Sequence, residues 1–103
     1  MKRFWKIYSN AAPCKQDSEI DRNEVAECIS EIIDYRWDCN DIPEPDDLDD
    51  NDFDAWFNAR IAELADMLFK RLEANGRIDC GDYAVYIADE KPERADVYGW
   101  EEV

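Results

Sequence analysis

Carboxylates are the reactive groups this chain holds in excess, and their spacing limits what they can do. Between Trp37 and Ala59 there are nine, Asp38, Asp41, Glu44, Asp46, Asp47, Asp49, Asp50, Asp52 and Asp54, with no Lys or Arg among them. Just upstream, Glu24, Glu27, Glu31, Asp34 and Asp38 recur at intervals of three and four residues. Groups of this kind can hold a metal ion, move a proton, or pair with the Lys and Arg of another molecule.

The metal and proton chemistries find little support. An EF-hand loop needs oxygens at alternating positions, Gly at the sixth and Glu at the twelfth. Counting from Asp47 puts Asp52 at the sixth and Asn58 at the twelfth, and counting from Asp50 puts Ile61 at the twelfth, so both registers fail. The chain has no His and no Thr, and its only serines are Ser9, Ser18 and Ser30. Ser-His and Cys-His nucleophile pairs and His-bearing metal sites are thereby removed. The three glycines, Gly76, Gly81 and Gly99, are scattered, so no phosphate-cradling loop is present. A carboxylate pair for glycoside hydrolysis survives counting, but so short a chain would struggle to enclose a sugar cleft. The chain is read as a non-enzyme, without cofactor or metal.

Pairing with a partner's cations fits better. On a helical wheel Glu24, Glu27, Glu31, Asp34 and Asp38 fall within an arc of roughly 80°, opposite Val25, Ile29, Ile32 and Ile33. They line about 21 Å of helix, one every 5 Å or so, against about 3.4 Å per phosphate along a DNA strand. The spacings are similar without being equal, and long side chains absorb the difference. A merely solvated helix face usually intersperses Lys with Glu at i,i+4, which stabilises by a few tenths of a kcal/mol, whereas like charges there cost a similar amount. No Lys or Arg enters this ladder, which favours a binding face over a solvated one. Helix capping accounts for one or two of the acids from Glu44 to Asp54; the others extend the negative field.

The whole composition carries the same sign. In 103 residues there are 27 acids and 12 bases, a net charge of −15 and a pI near 4.1. That disfavours direct contact with nucleic acid or an anionic membrane and makes positively charged protein surfaces the natural partners. Apolar residues reach 46%, with four Trp, five Tyr and four Phe, enough for one modest core in a single domain over residues 1–103. Cys14, Cys28, Cys39 and Cys80 form no C-x-x-C. With no signal-like apolar run after Met1 and no stretch of membrane-span length, they are expected to be free thiols in a reducing cytoplasm.

The elements that must position these groups follow from periodicity. Phe4–Tyr8 suits a short strand, set in the one basic neighbourhood (Lys2, Arg3, Lys6, Lys15), which could pair with the chain's own acids or cap a sheet edge. Asp21 and Glu24 make a capping box opening a helix to about Asp38, before Asn40 and Pro43-Glu44-Pro45. A second helix, of roughly 22 residues, has an apolar face of Phe53, Trp56, Phe57, Ile61, Leu64, Leu68 and Leu72, with Trp56 and Phe57 expected in the core. Lys70 and Arg71 are expected in its last turn and Asn75-Gly76 at its stop. Tyr83–Ile87 and, more weakly, Val97–Trp100 are further strands. The expected fold is α+β in the order β-α-α-β-β, an antiparallel sheet with two helices on one face.

The functional expectation is a small acidic inhibitor that occupies the basic nucleic-acid-binding surface of another protein by phosphate mimicry. In physical type the chain resembles phage-encoded anti-restriction and anti-CRISPR proteins, which are short, acidic and without catalytic motifs; this would put it in the host cytoplasm. The contacting residues would be Glu24, Glu27, Glu31, Asp34 and Asp38 with Asp46, Asp47, Asp49 and Asp50. Two alternatives are an immunity or antitoxin protein that neutralises a basic nuclease, and an assembly protein whose acidity serves solubility. Trp100, beside Gly99, is either an exposed interface residue or a cover for the sheet edge.

Overall fold

Leu64, Leu68 and Leu72 repeat every four residues and are all but fully buried in a computed structural model that describes residues 2–103. They lie on helix α2, Asp50–Asn75, which crosses the sheet beside helix α1, Arg22–Asp38. From α1 come Val25, Cys28, Ile29, Ile32 and Ile33, and from the sheet Ile20, Ile78, Tyr83 and Val85; together these make the main core.

The caps fall where the sequence places them. Asp21 accepts from the Glu24 amide at 2.9 Å, and Asp49 does the same for Asp52, meeting orphan donors at each helix start. Gly76 closes α2 in the left-handed region at φ 77°, its amide donating to the Leu72 carbonyl. Because α2 runs on to Asn75, Lys70 and Arg71 lie before its last turn, contrary to expectation.

The order is β1 Arg3–Tyr8, β2 Ser18–Ile20, α1, α2, β3 Arg77–Asp79 and β4 Tyr83–Ala88. One antiparallel sheet results, in the spatial order β2-β1-β4-β3. The α+β class and the helices on one face match expectation, with two strands added. Both additions have three residues and a single buried side chain, Ile20 or Ile78, too short for an alternating pattern. Val97–Trp100 is not a strand. It makes one antiparallel bridge, Cys80 to Trp100, while Val97 stays 80% exposed and Gly99 offers no side chain to bury.

Period-two alternation puts Tyr8, Tyr83 and Val85 under the helices and Ile7 and Ala84 on the opposite face. Those last two are fully buried, as is most of Tyr98, apart from the main core. The chain after Ala88 supplies the cover. Asn10 donates to the Ala95 carbonyl at 2.8 Å, and the Tyr98 hydroxyl lies 3.1 Å from that of Tyr86. Arg36 fixes the end of this segment, donating from Nε to the Glu101 carbonyl at 2.7 Å and from its guanidinium to the Trp100 carbonyl at 2.6 Å.

Candidate protein-binding face

Glu24, Glu27, Glu31, Asp34 and Asp38 are exposed along one side of α1, while Val25, Cys28, Ile29, Ile32 and Ile33 are buried on the other. The capped start and the apolar stripe fix the rotation of the helix, and with it the direction of the ladder. Asp46, Asp47 and Asp49 are exposed on the connection that follows, and Asp50 opens α2. Buried Ile42 pins that connection to the core. The acidic stretch therefore continues from the C-terminal end of the ladder without a break in the chain.

Only some of the acids have cationic partners, and among the described residues Asp52, Asp54, Asp82 and Glu90 lack an ion pair as the nine site acids do. Glu19, Asp17, Asp41, Glu63, Asp66, Asp79 and Glu101 all form ion pairs with Arg or Lys. Among the described residues none of the nine site acids does. Asp49 spends one oxygen on its helix cap, and Glu31 accepts a hydrogen bond from the Tyr83 hydroxyl. Burial, reinforced by hydrogen bonds to Cys28 and Glu31, raises the Tyr83 hydroxyl far above its ordinary pKa, so it remains a donor. Glu31 is thus an acceptor whose orientation is fixed by a hydroxyl from the sheet.

Two placements run against helix stability. Asp34 and Asp38 lie in the last turns of α1, where the macrodipole is negative and disfavours acids by about 0.3–1 kcal/mol each. Arg36 is the basic residue in that turn, and it is engaged with Asp41 at 2.9 Å and with the C-terminal carbonyls.

In the basic N-terminal neighbourhood Arg3 and Lys6 are used internally. Arg3 pairs with Glu19 and donates to the Asp89 carbonyl, and the Lys6 ammonium sits 4.4 Å from the Tyr83 ring centre. Trp100 resolves as an edge cover: half-buried, it stacks on Tyr35 at 4.5 Å with its ring against Gly81. Tyr35 is the aromatic exposed beside the ladder, and sequence reasoning missed it because its position on the wheel lies between the acidic arc and the buried stripe. Trp56 and Phe57, expected in the core, are only half-buried. They join Trp37 and Phe53 in a ring cluster with centroids 5.1–6.4 Å apart.

All four cysteines are free, Cys28 and Cys80 buried, Cys14 and Cys39 exposed. Burial pushes both buried thiols up from their usual pKa, which makes them poor nucleophiles. Among the described residues no group of three or more His, Cys, Asp or Glu is arranged to hold a metal ion, and no helix is long and apolar enough to cross a membrane. No family model, curated protein or solved structure matches the chain.

Proposed function

We propose that this protein is a small acidic inhibitor that binds the basic nucleic-acid-binding surface of another protein, with its carboxylates in the place of phosphates. The observation that carries the reading is concentrated unpaired charge: five acids on one exposed side of α1 and four more on the connection and at the start of α2 lie close together in the chain, and among the described residues none of these nine is in an ion pair. Unpaired like charge costs stability, and two of these acids also oppose the helix dipole. A protein that tolerates both costs on one face gains from them when a cationic surface closes over it. Electrostatic complementarity of this kind speeds encounter and selects the partner. The acting side chains are Glu24, Glu27, Glu31, Asp34, Asp38, Asp46, Asp47, Asp49 and Asp50, and inhibition of anti-restriction or anti-CRISPR type is the corresponding biological role.

The test is capture of proteins from a bacterial lysate on the immobilised chain, with elution by salt in one arm and by DNA in another. Proteins that nucleic acid displaces support mimicry. A nuclease that neither DNA nor RNA displaces would instead favour an immunity function. Replacing Glu27, Glu31 and Asp34 by Gln, Gln and Asn should weaken capture about tenfold or more and flatten its salt dependence. Undiminished binding by that variant would remove the ladder from the interface.

A further inference from the structure

Helix α2 outruns the sheet it packs on. Its 26 residues span about 39 Å, whereas the six-residue strands β1 and β4 span about 20 Å. Its buried residues, Leu64, Leu68 and Leu72, all belong to the half above the sheet. The other half, from Asp50 to Glu63, buries no side chain fully. Four large aromatic rings gather on that overhang. Phe53 stacks on Phe57 at 5.8 Å, Trp56 lies against Phe53, and Trp37 arrives from the end of α1 to meet all three. Trp37 and Trp56 reach the edge of the main core; Phe53 and Phe57 do not.

We infer that this overhanging aromatic cluster is the apolar centre of the interface, and that its occupant is a cationic amphipathic segment of the partner protein, with apolar side chains set among Lys and Arg. The rim dictates the charge. From Asp38 to Asp54 the chain that frames the rings carries nine carboxylates and no base. A second copy of the same chain would bring like charge against like charge at this end, which opposes self-association. The rings dictate the apolar component. Binding energy concentrates in a few aromatic residues enclosed by a polar rim, and Trp is the most enriched among them. The ladder and the rings then divide the work: charge sets the rate of encounter, and ring burial sets the lifetime of the complex. The inference deepens the mimicry reading and rests on it for the sign of the partner.

The probe is a synthetic Leu/Lys peptide of about 15 residues with helical amphipathicity, compared with a scrambled peptide of the same composition and with oligolysine. In about 0.5 M sodium chloride, where exposed charges are screened beyond a few ångströms, the amphipathic peptide should bind about tenfold tighter than the scrambled one. Indole N–H resonances report the place without any substitution. Those of Trp37 and Trp56 should shift, while that of Trp5, which donates to the Ala88 carbonyl, should not. The variant Phe53→Ala with Phe57→Ala should abolish the preference, with circular dichroism verifying the fold. Equal affinity for the amphipathic and scrambled peptides overturns the inference, and so does a Trp5 shift as large as those of Trp37 and Trp56. The underlying reading fails separately: it falls if neutralising Glu27, Glu31 and Asp34 leaves oligolysine binding at low salt unchanged.

Discussion

Asp17 and Arg94 stand 77 residues apart in the chain and 3.0 Å apart in the fold. Arg94 also donates to the carbonyls of Ala12 and Lys15, so one guanidinium fastens the C-terminal segment to the connection between β1 and β2. Asp17 in turn accepts from the Tyr8 amide at 2.8 Å, with its side chain only 6% exposed. Burial alone would raise this carboxyl. Hydrogen bonds from Arg94 and the Tyr8 amide, with the charges of Arg94 and Lys91, more than offset that and hold it below its ordinary value. Asp17→Asn should therefore cost about 2–3 kcal/mol at neutral pH. A carboxyl with a depressed folded pKa stabilises above its unfolded value, and the benefit disappears as pH falls through the folded one. Denaturant titrations of both proteins should show the gap between them closing in acid.

Asp79 has the opposite sign. Burial pushes its carboxyl up, and Glu101 nearby adds to this, although Arg77 lies 3.0 Å away. The ionised form is less favoured in the fold than in the unfolded chain, so at neutral pH it lowers stability. Protonation relieves that cost, and the gain is complete only below the unfolded value. Asp79→Asn should unfold at higher temperature than the parent at pH 7, and the difference should shrink as the pH is lowered. A variant less stable at pH 7 would mean that the Arg77 pair outweighs burial.

Gly81 has φ +86°, and a Cβ there would lie 2.8 Å from Cζ2 of Trp100. Gly81→Ala should cost about 2 kcal/mol or more, from backbone strain and from the displaced indole together. Gly99→Ala is the control, because a Cβ there meets nothing within 4 Å; its effect should stay within about 0.5 kcal/mol. Thermal melts followed by tryptophan fluorescence separate the two.

Arg36 holds the last residues through charged hydrogen bonds to the carbonyls of Trp100 and Glu101. Arg36→Met keeps much of the side-chain bulk and removes the donors. It should destabilise by about 1.5–3 kcal/mol and speed proteolytic cleavage after Ala88 relative to cleavage within α1. Equal protection of both regions would count against Arg36 as the anchor of the C-terminal segment.

The helices were legible because their signals are local. Asp21 with Glu24, and Asn75 with Gly76, mark ends that depend on neighbours within one turn, and the leucines of α2 repeat often enough to fix a face. β2 and β3 were not legible, since three residues with one buried side chain carry no period. The role of Arg36 depends on carbonyls 64 and 65 positions away, which no local pattern encodes. The ladder could be read from spacing alone. Its lack of internal cations could not, because basic residues far along the chain, such as Arg3 and Arg94, could have folded back onto it. The aromatic cluster was misplaced for a related reason: the face of α2 is continuous in sequence, while the sheet beneath it stops halfway.

That overhang has a dynamic consequence. Amide protons near Leu68 exchange only when the core opens, but those between Phe53 and Arg60 need no more than local fraying of a capped, sparsely covered helix half. Hydrogen exchange should accordingly divide α2 into a fast and a slow segment. A partner that settles on the fast segment must order it first, and that entropy is subtracted from the affinity supplied by the charges. A substitution that stiffens the overhang would tighten binding without adding a single contact.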